Sequence, residues 1–137
     1  MGIRYRIDSE LALVVTTASG LLEDADLLDY GRRLLADPDR SKAKHELVDL
    51  RRVDDASSVS SEGIRALAEF WTDRSDQMAG GRLAIVARSN VGYGMSRMYQ
   101  ILRSDGPDSI QVFRDLERAL TWLEVDETLA HRLELPK

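Results

Sequence analysis

A cluster of hydroxyl and carboxylate side chains lies between an apolar run and a helical pattern in the middle of this chain. The segment reads LVDLRRVDDASSVSSEGIRALAEF from 47 to 70. Its candidate functional residues are Asp54, Asp55, Ser57, Ser58, Ser60, Ser61 and Glu62. Open α/β sheets usually bind ligands where strands end at their carboxyl edge and helix N-termini offer free N–H groups. We therefore predict that this acidic, serine-rich loop and the start of the following helix form a contact surface for another protein.

Two functions remain open for the serines of this segment. Ser60 or Ser61 can accept the N–H groups of the helix that it begins, which is the usual role of a serine there. A phosphoserine would instead add about −1.5 to −2 charges at the helix N-terminus, close to Asp54, Asp55 and Glu62. Because like charges repel, phosphorylation would change the affinity for a partner without changing the fold. Capping and a phosphorylation switch are compatible.

A second candidate site is an apolar cleft against the third predicted helix. Methionine adapts to irregular ligands, and aromatic rings supply contact area. The candidate wall residues are Trp71, Tyr93, Met95, Met98 and Tyr99. The glycines that open this helix, in SNVGYGM from 89 to 95, lack the G-x-G-x-x-G spacing and the Walker lysine of nucleotide sites. We interpret these glycines as packing positions behind a capped helix start, and the cleft as the alternative place for a ligand.

Metal binding and catalysis are not indicated. Asp49, Asp54 and Asp55 lack the additional carboxylates and the late lysine of a receiver-like magnesium site. His45 and His131 are far apart and have no evident nucleophile or third ligand, so both are predicted to be surface residues. The chain has no cysteine and no G-x-S-x-G sequence. We expect no metal, no cofactor, no catalytic residue and no enzymatic activity.

Composition and charge limit the classes of partner. The 137 residues are 43% hydrophobic, which suits one domain with a single core. The net charge of −5 and the pI near 5.0 argue against general binding to nucleic acid or to anionic membranes. The opening MGIRYRIDSE lacks the apolar core of a signal peptide, and no apolar run approaches the roughly 18 residues of a membrane span. We expect a cytoplasmic protein that does not span a membrane.

The elements that position these residues alternate along the chain. Alternating residues in 3–8 and β-branched residues in 11–18 predict an antiparallel hairpin, after which Gly20 breaks the strand pattern. Asp115 is predicted to cap the fourth helix. Further strands are predicted at 46–50, 83–87 and 110–113, between amphipathic helices. A short tail helix, with Leu129 and Leu133 at i and i+4, is expected to pack on the body.

The resulting expectation is a single α/β domain of order ββαβαβαβα. Its sheet is mixed, mostly parallel and five-stranded, with an N-terminal antiparallel hairpin and packed helices. The core is expected at about 3–124 and a helical tail at about 125–137.

Five segments of the chain, in this order, resemble the STAS domains, the anti-sigma-factor antagonist or SpoIIAA-like fold. They are YRID with LALVVTTASG, LVDLRRV, SSEGIRALAEF, RLAIVA with YGMSRMYQ, and VFRDLERALTWL. They span Arg4 to Leu123, and the chain looks most similar to the small stand-alone bacterial proteins of the STAS/Sec14-like group. The resemblance implies the same ββαβαβαβα fold.

The resemblance also implies a regulatory function. In regulatory members, a serine ahead of a helix-opening Ser-Gly pair is phosphorylated by a partner kinase, which abolishes binding to that kinase. The counterpart here is SSEGI at 60–64, where a glutamate separates serine from glycine. Ser57, Ser58, Ser60 and Ser61 all remain possible equivalents. We therefore expect a non-enzymatic STAS-like regulatory or protein-interaction domain with an unknown partner.

The alternative function is a small carrier or sensor of a lipid or other apolar ligand, because Sec14-like relatives carry lipids. A homodimer is also possible, since an edge hairpin can pair with a second copy. The charged residues Arg4, Arg6 and Asp8 would instead protect that edge.

Overall fold

The structure is a computed structural model that describes residues 2–74 and 81–135. Within these residues, five strands form one mixed sheet. The strands and helices are β1 Ile3–Asp8, β2 Leu13–Leu21, α1 Asp24–Ala36, β3 His45–Asp55, α2 Ser61–Thr72, β4 Arg82–Val86, α3 Asn90–Leu102, β5 Ser109–Phe113 and α4 Leu116–Trp122. Short 3-10 helices lie at Pro38–Lys42 and Glu127–Leu133. The predicted ββαβαβαβα order is confirmed.

The order of the strands places three helices on one side of the sheet. The strands lie in the order β1-β2-β3-β4-β5, with β1 and β2 antiparallel and the other pairs parallel. Crossovers between parallel strands are right-handed, so a sheet that grows in one direction receives every crossover helix on one face. Accordingly α1, α2 and α3 cover one face, here called the three-helix face. Helix α4 and the 3-10 helix Glu127–Leu133 cover the other, here called the α4 face.

Side chains alternate between these two faces along each central strand. On β2, Val14 and Ala18 point to the three-helix face, whereas Leu13 and Val15 point to the α4 face. The same alternation places Ile85 of β4 on the three-helix face, and Ala84 and Val86 on the other. Each face therefore has its own apolar core.

Strand β3 is longer than predicted, which corrects the expected position of the acidic loop. It continues to Asp55, so Asp54 and Asp55 belong to the strand and the connecting loop is short. The extension is possible because β2 continues past Gly20 and supplies backbone partners, with Leu21 opposite Asp55. Gly20 does not end β2: it has a φ of +69° at a register shift, the conformation of a β-bulge.

The tail packs on the body as predicted, but by a different geometry. Leu133 is 2% exposed, whereas Leu129 is 38% exposed. A 3-10 helix has three residues per turn, so residues four apart do not share a face. Arg132 of the tail lies 3.4 Å from the Asp8 carboxylate, and its carbonyl accepts a hydrogen bond from Arg6. Asp8, predicted with Arg4 and Arg6 to protect the edge, is buried.

Candidate functional site

A cavity of about 540 Å³ lies between the three-helix face and its covering helices. All three helices and the strands β2, β3 and β4 contribute walls. The principal apolar wall residues are Val14, Val48, Leu50 and Ile85 from the sheet, and Leu27, Ile64, Leu67, Trp71 and Met95 from the helices. The site is thus an apolar chamber built into one of the two cores.

Two small residues of α3 border this cavity. Gly92 and Ser96, one helical turn apart, both line it. The Ser96 hydroxyl is buried and donates to the carbonyl of Gly92 at 2.8 Å, so it is satisfied within its own helix. Helices α1 and α2 approach each other closely, since a Cβ on Gly31 would lie 3.2 Å from the Phe70 ring. Close packing of α1 on α2 therefore coexists with open space beneath α3.

Polar side chains gather at the amino edge of the parallel strands, at one end of the cavity. Glu46, the second residue of β3, lines the cavity beside Tyr30 of α1. The Tyr30 hydroxyl lies 3.5 Å from Glu46 Oε2 and 2.7 Å from the Thr16 hydroxyl. Burial raises the pKa of Glu46 to about 6, and the nearby charge of Asp108 adds to the increase. The positive charges of Arg40 and Arg103 and the hydrogen bond from Tyr30 act in the opposite direction.

A buried ion pair lies at this end of the cavity. Arg103, at the C-terminal end of α3, binds Asp108 at 2.8 Å and donates to the Tyr99 hydroxyl at 2.9 Å. The side chains of Arg103 and Asp108 are 2% and 9% exposed. Burial raises the pKa of Tyr99 above its usual range, so its hydroxyl stays protonated. Arg103 Nε and Asp108 Oδ1 have no hydrogen-bond partner among the described residues.

His45 is not the surface residue that the sequence predicted. Its Nδ1 accepts the backbone N–H of Arg82 at 2.9 Å, and the side chain borders the cavity. Burial, followed by the charges of Lys44 and Arg82, lowers the pKa of His45. His131 is exposed, as predicted, with Nδ1 3.0 Å from the carbonyl of Thr128.

The structure brings together part of the predicted apolar cleft. Trp71, Met95 and Tyr99 line the cavity, and Met95 and Tyr99 lie one turn apart on α3. Met98 packs against the surrounding core, outside the cavity lining. Tyr93 lies on another side of α3, where its ring centroid is 4.2 Å from the Arg114 guanidinium. A helix turns by 100° per residue, so Tyr93 points away from the cavity-lining side chains Met95 and Tyr99.

Ser60 is the N-cap of α2, as one of the two serine predictions had it. Its Oγ accepts the backbone N–H of Gly63 at 2.9 Å and donates to Asp24 Oδ2 at 2.5 Å. Asp24 Oδ1 also accepts the backbone N–H of Ser60 at 2.8 Å. A Cβ on Gly63 would lie 2.1 Å from Asp24 Oδ1, so a larger residue there would displace the Asp24 carboxylate from Ser60. Asp24 of α1 thus holds the start of α2 in place.

The other residues of the serine-rich segment lie on the surface. Asp55 accepts both the backbone N–H and the hydroxyl of Ser57, at 2.8 and 2.5 Å, and these bonds lower the pKa of Asp55. Such a bond from Asp to the residue two positions on is a typical Asx turn. The remaining candidates, Asp54, Ser58, Ser61 and Glu62, are exposed. The segment is therefore accessible, and its use as a partner surface stays a prediction.

Asp49, weighed above as a metal ligand, is buried on the strand. Its carboxylate binds Arg51 through two contacts of 2.9 Å. Among residues 2–74 and 81–135, no group of three or more His, Asp or Glu side chains is arranged to hold a metal ion.

The sequence did not identify Glu46 or Arg103 as site residues. Their burial depends on which face of a strand or helix each side chain occupies. Glu46 shares the alternation of Val48 and Leu50, so it faces the cavity. The sequence ELVDL has one acid on each face of the strand, Glu46 and Asp49. It does not show which of the two borders open space. The one available signal was that Glu46, a charged residue, occupies a position on the same strand face as buried apolar residues.

Comparisons with known proteins add no identification. The chain matches no protein-family model and no curated protein. Within the described part of the chain, no helix is long and apolar enough to cross a membrane.

Proposed function

We propose that this chain binds a small amphiphilic molecule in the cavity under α1, α2 and α3, as a carrier or a sensor. The observation that supports this function is the cavity itself, which is apolar along its length and polar at one end. Ligand sites in proteins are typically chambers of about 300–1,000 Å³ with few, localised polar groups. The cavity fits that description.

The volume is difficult to explain as a packing defect. An apolar cavity of about 150 Å³ is already large enough to bind benzene. Exposed residues, among them Ser41 and Lys44, line its polar end, so solvent reaches the cavity there. A ligand that covers the apolar walls would remove their surface from water, which is favourable by about 25 cal/mol per Å².

The polar end supports a binding function as well. Keeping Glu46 in a site that raises its pKa to about 6 costs stability at neutral pH. An apolar residue on the same strand face would avoid that cost. Perturbed acids inside a concave site are common where a protein binds or transforms a ligand. The proposed binding involves no chemical step.

The second candidate function is the expected STAS-like interaction with a partner protein. It is favoured by the exposed acidic and serine side chains that follow β3, beside the Asp24 clamp on Ser60. The ββαβαβαβα order supports kinship with STAS domains, which stays a proposal. The two functions are compatible, because the serine-rich segment lies at the carboxyl edge of the sheet and Glu46 at the amino edge.

Intrinsic fluorescence tests the binding function, because the chain has two tryptophans and they lie on opposite faces. Trp71 lines the cavity, whereas Trp122 packs against the α4 core. Trp122→Phe leaves Trp71 as the sole tryptophan, and Trp71→Phe leaves Trp122. We expect titration with dodecanol to shift the emission of the Trp122→Phe protein in a saturable way.

The Trp71→Phe protein is the matched control for this titration. Its emission should change little, because Trp122 is separated from the cavity by the sheet. Similar changes in both proteins would indicate nonspecific surface binding. Absence of a change in the Trp122→Phe protein, together with no small molecule retained in native mass spectra, would contradict the proposed function.

A further inference from the structure

We propose that the ligand carries an unbranched hydrocarbon chain of about 14–16 carbons, which lies extended along α3 and ends at the carboxyl edge of the sheet. This inference rests on the proposed function and names the shape and length of the ligand. Fatty acids, fatty alcohols and their esters share such a chain. Compact ring ligands do not.

The lining of the cavity follows α3 over nearly its whole length. The lining residues of this helix recur at helical spacing, so they form one stripe along it. Between Gly92 and Arg103 the stripe advances by about 17 Å, at about 1.5 Å per residue. Its members are Gly92, Met95, Ser96, Tyr99 and Arg103. The long axis of the cavity is therefore parallel to α3.

Strand β3 gives an independent measure of this axis. Glu46 and Val53 both line the cavity, near opposite ends of the strand. At about 3.3 Å per residue, the strand advances by up to about 23 Å between them. A round chamber of 540 Å³ would be only about 10 Å across. The cavity is therefore elongated, with a length of about 20 Å along the strand and the helix.

The two ends of the cavity differ in polarity and exposure. At the amino edge the lining includes the exposed residues Ser41 and Lys44, where a ligand can enter. At the carboxyl edge the lining includes exposed Ser89, whose hydroxyl accepts the backbone N–H of Gly92 at 3.0 Å. The apolar residues that line this second edge are buried, among them Leu22, Val59 and Ile64. The hydrocarbon end of an amphiphile therefore belongs at the carboxyl edge.

The length of the cavity limits the length of the chain. Carbon–carbon bonds of about 1.5 Å, in an extended zigzag, advance by about 1.3 Å per carbon. A length of about 20 Å therefore accommodates about 14–16 carbons. Each methylene that moves from water to the apolar walls should raise the affinity by about four-fold. Affinity should increase with chain length until the chain reaches the carboxyl edge, and should then stop increasing.

A series of primary alcohols tests the length of the chain. The probes run from octanol to octadecanol in steps of two carbons and are supplied from cyclodextrin complexes of known affinity. Trp71 emission in the Trp122→Phe protein reports their binding. We expect a gain of about 16-fold per step up to tetradecanol, and no further gain beyond hexadecanol. Because the probes share one head group, the series compares chains alone.

Cyclododecanol is the matched probe for the shape of the ligand. It holds the same number of carbons as dodecanol, and the same hydroxyl group, in a compact ring. The ring cannot extend along the cavity, so it leaves the walls at both ends uncovered. It should therefore bind at least about ten-fold more weakly than dodecanol.

Two alanines in the lining provide a matched pair of variants. Val14 of β2 pairs with Glu46, so Ala18 lies about 13 Å from the level of Glu46, whereas Ala43 lies at the amino edge. Ala18→Leu should weaken tetradecanol binding by at least about ten-fold and leave octanol binding unchanged, because the shorter chain ends before that level. Ala43→Leu should change both affinities by the same factor. Circular dichroism checks that both variants fold.

The possible results separate the two proposals. An affinity that does not increase from decanol to tetradecanol, or that still increases up to octadecanol, would overturn the chain assignment and leave cavity binding intact. Binding of cyclododecanol as tight as that of dodecanol would do the same. If neither the alcohols nor the ring binds, both proposals fail. The alcohol series and the ring comparison leave the lining unaltered, so they decide the assignment even if the Ala18→Leu protein does not fold.

Discussion

The two faces of the central sheet use the same strands but end in different kinds of core. On the α4 face, Leu13, Leu47 and Val86 are almost completely buried against α4 and the tail. On the three-helix face, residues one position away along those strands border a cavity of about 540 Å³. Each face also carries an acid of β3, Glu46 on the three-helix face and Asp49 on the α4 face. On each face, every second side chain of a strand points toward the covering elements. The difference between the two cores therefore comes from the elements that cover them.

This difference indicates that stability alone did not determine the three-helix face. The α4 face shows how these strands pack when the covering elements lie directly on them. Both faces hold a buried ion pair, Arg103–Asp108 on the three-helix face and Arg51–Asp49 on the α4 face, so the feature that distinguishes the three-helix face is its open space, which lowers stability relative to close apolar packing. Local departures from good packing are expected where a protein functions.

The largest expected contrast comes from two leucines of β3. Leu47→Ala removes a fully buried side chain from the α4 face and should lower the free energy of unfolding by about 3–5 kcal/mol. Leu50→Ala, on the cavity wall, should cost about 1–2 kcal/mol, because that side chain already borders open space. Urea unfolding measures both values. Equal losses would mean that the cavity is filled by the protein itself.

Enlarging side chains should produce the opposite contrast. Val15→Phe adds volume to the closely packed α4 face and should cost as much as about 3 kcal/mol. Val48→Phe adds the same volume beside the cavity, so its cost should be within about 0.5 kcal/mol of zero. It should also weaken dodecanol binding. A large loss of stability in Val48→Phe, measured by thermal unfolding, would argue against available space.

Replacing the acid on the three-helix face should stabilise the ligand-free protein. The pKa of Glu46 rises from 4.5 to about 6 on folding, so the folded protein holds this proton more tightly than the unfolded chain. The resulting destabilisation is absent below about pH 4.5 and complete above about pH 6. Glu46→Gln should therefore raise the free energy of unfolding by about 2 kcal/mol at pH 7. The gain should disappear at about pH 4, and a gain that persists there would have another cause.

The smallest expected effect lies outside both cores, at the start of α2. Ser60→Ala removes the N-cap hydroxyl and should cost about 1 kcal/mol. Dodecanol affinity should not change, because Ser60 does not line the cavity. Ser58→Ala, at an exposed position nearby, serves as the control and should leave both quantities unaltered. A loss of binding in Ser60→Ala would connect the serine-rich segment to the cavity.

Much of the fold was readable from the sequence, because local patterns determine it. Periodicity located the strands and helices, and the serine and aspartate caps at Ser60 and Asp115 are confirmed. The end of β3 was misplaced because β3 continues only where β2, beyond Gly20, supplies backbone partners. The sequence of β3 alone does not show that these partners exist.

The cavity was only partly predictable. The sequence identified Trp71, Met95 and Tyr99 by residue type, and all three line it. It did not identify Glu46, because a strand that carries acids in both phases does not reveal which one faces the chamber. Nor can periodicity predict empty volume, which depends on how the three helices lie over the sheet.

The most direct test is a methyl NMR titration of the full chain with dodecanol. Cavity binding predicts saturable shifts for the methyl groups of Val48, Leu50 and Ile85 on the three-helix face. The methyl groups of Leu13, Leu47 and Val86, on the α4 face of the same strands, should shift little. Unchanged resonances on the three-helix face, or equal shifts on both faces, would contradict the account.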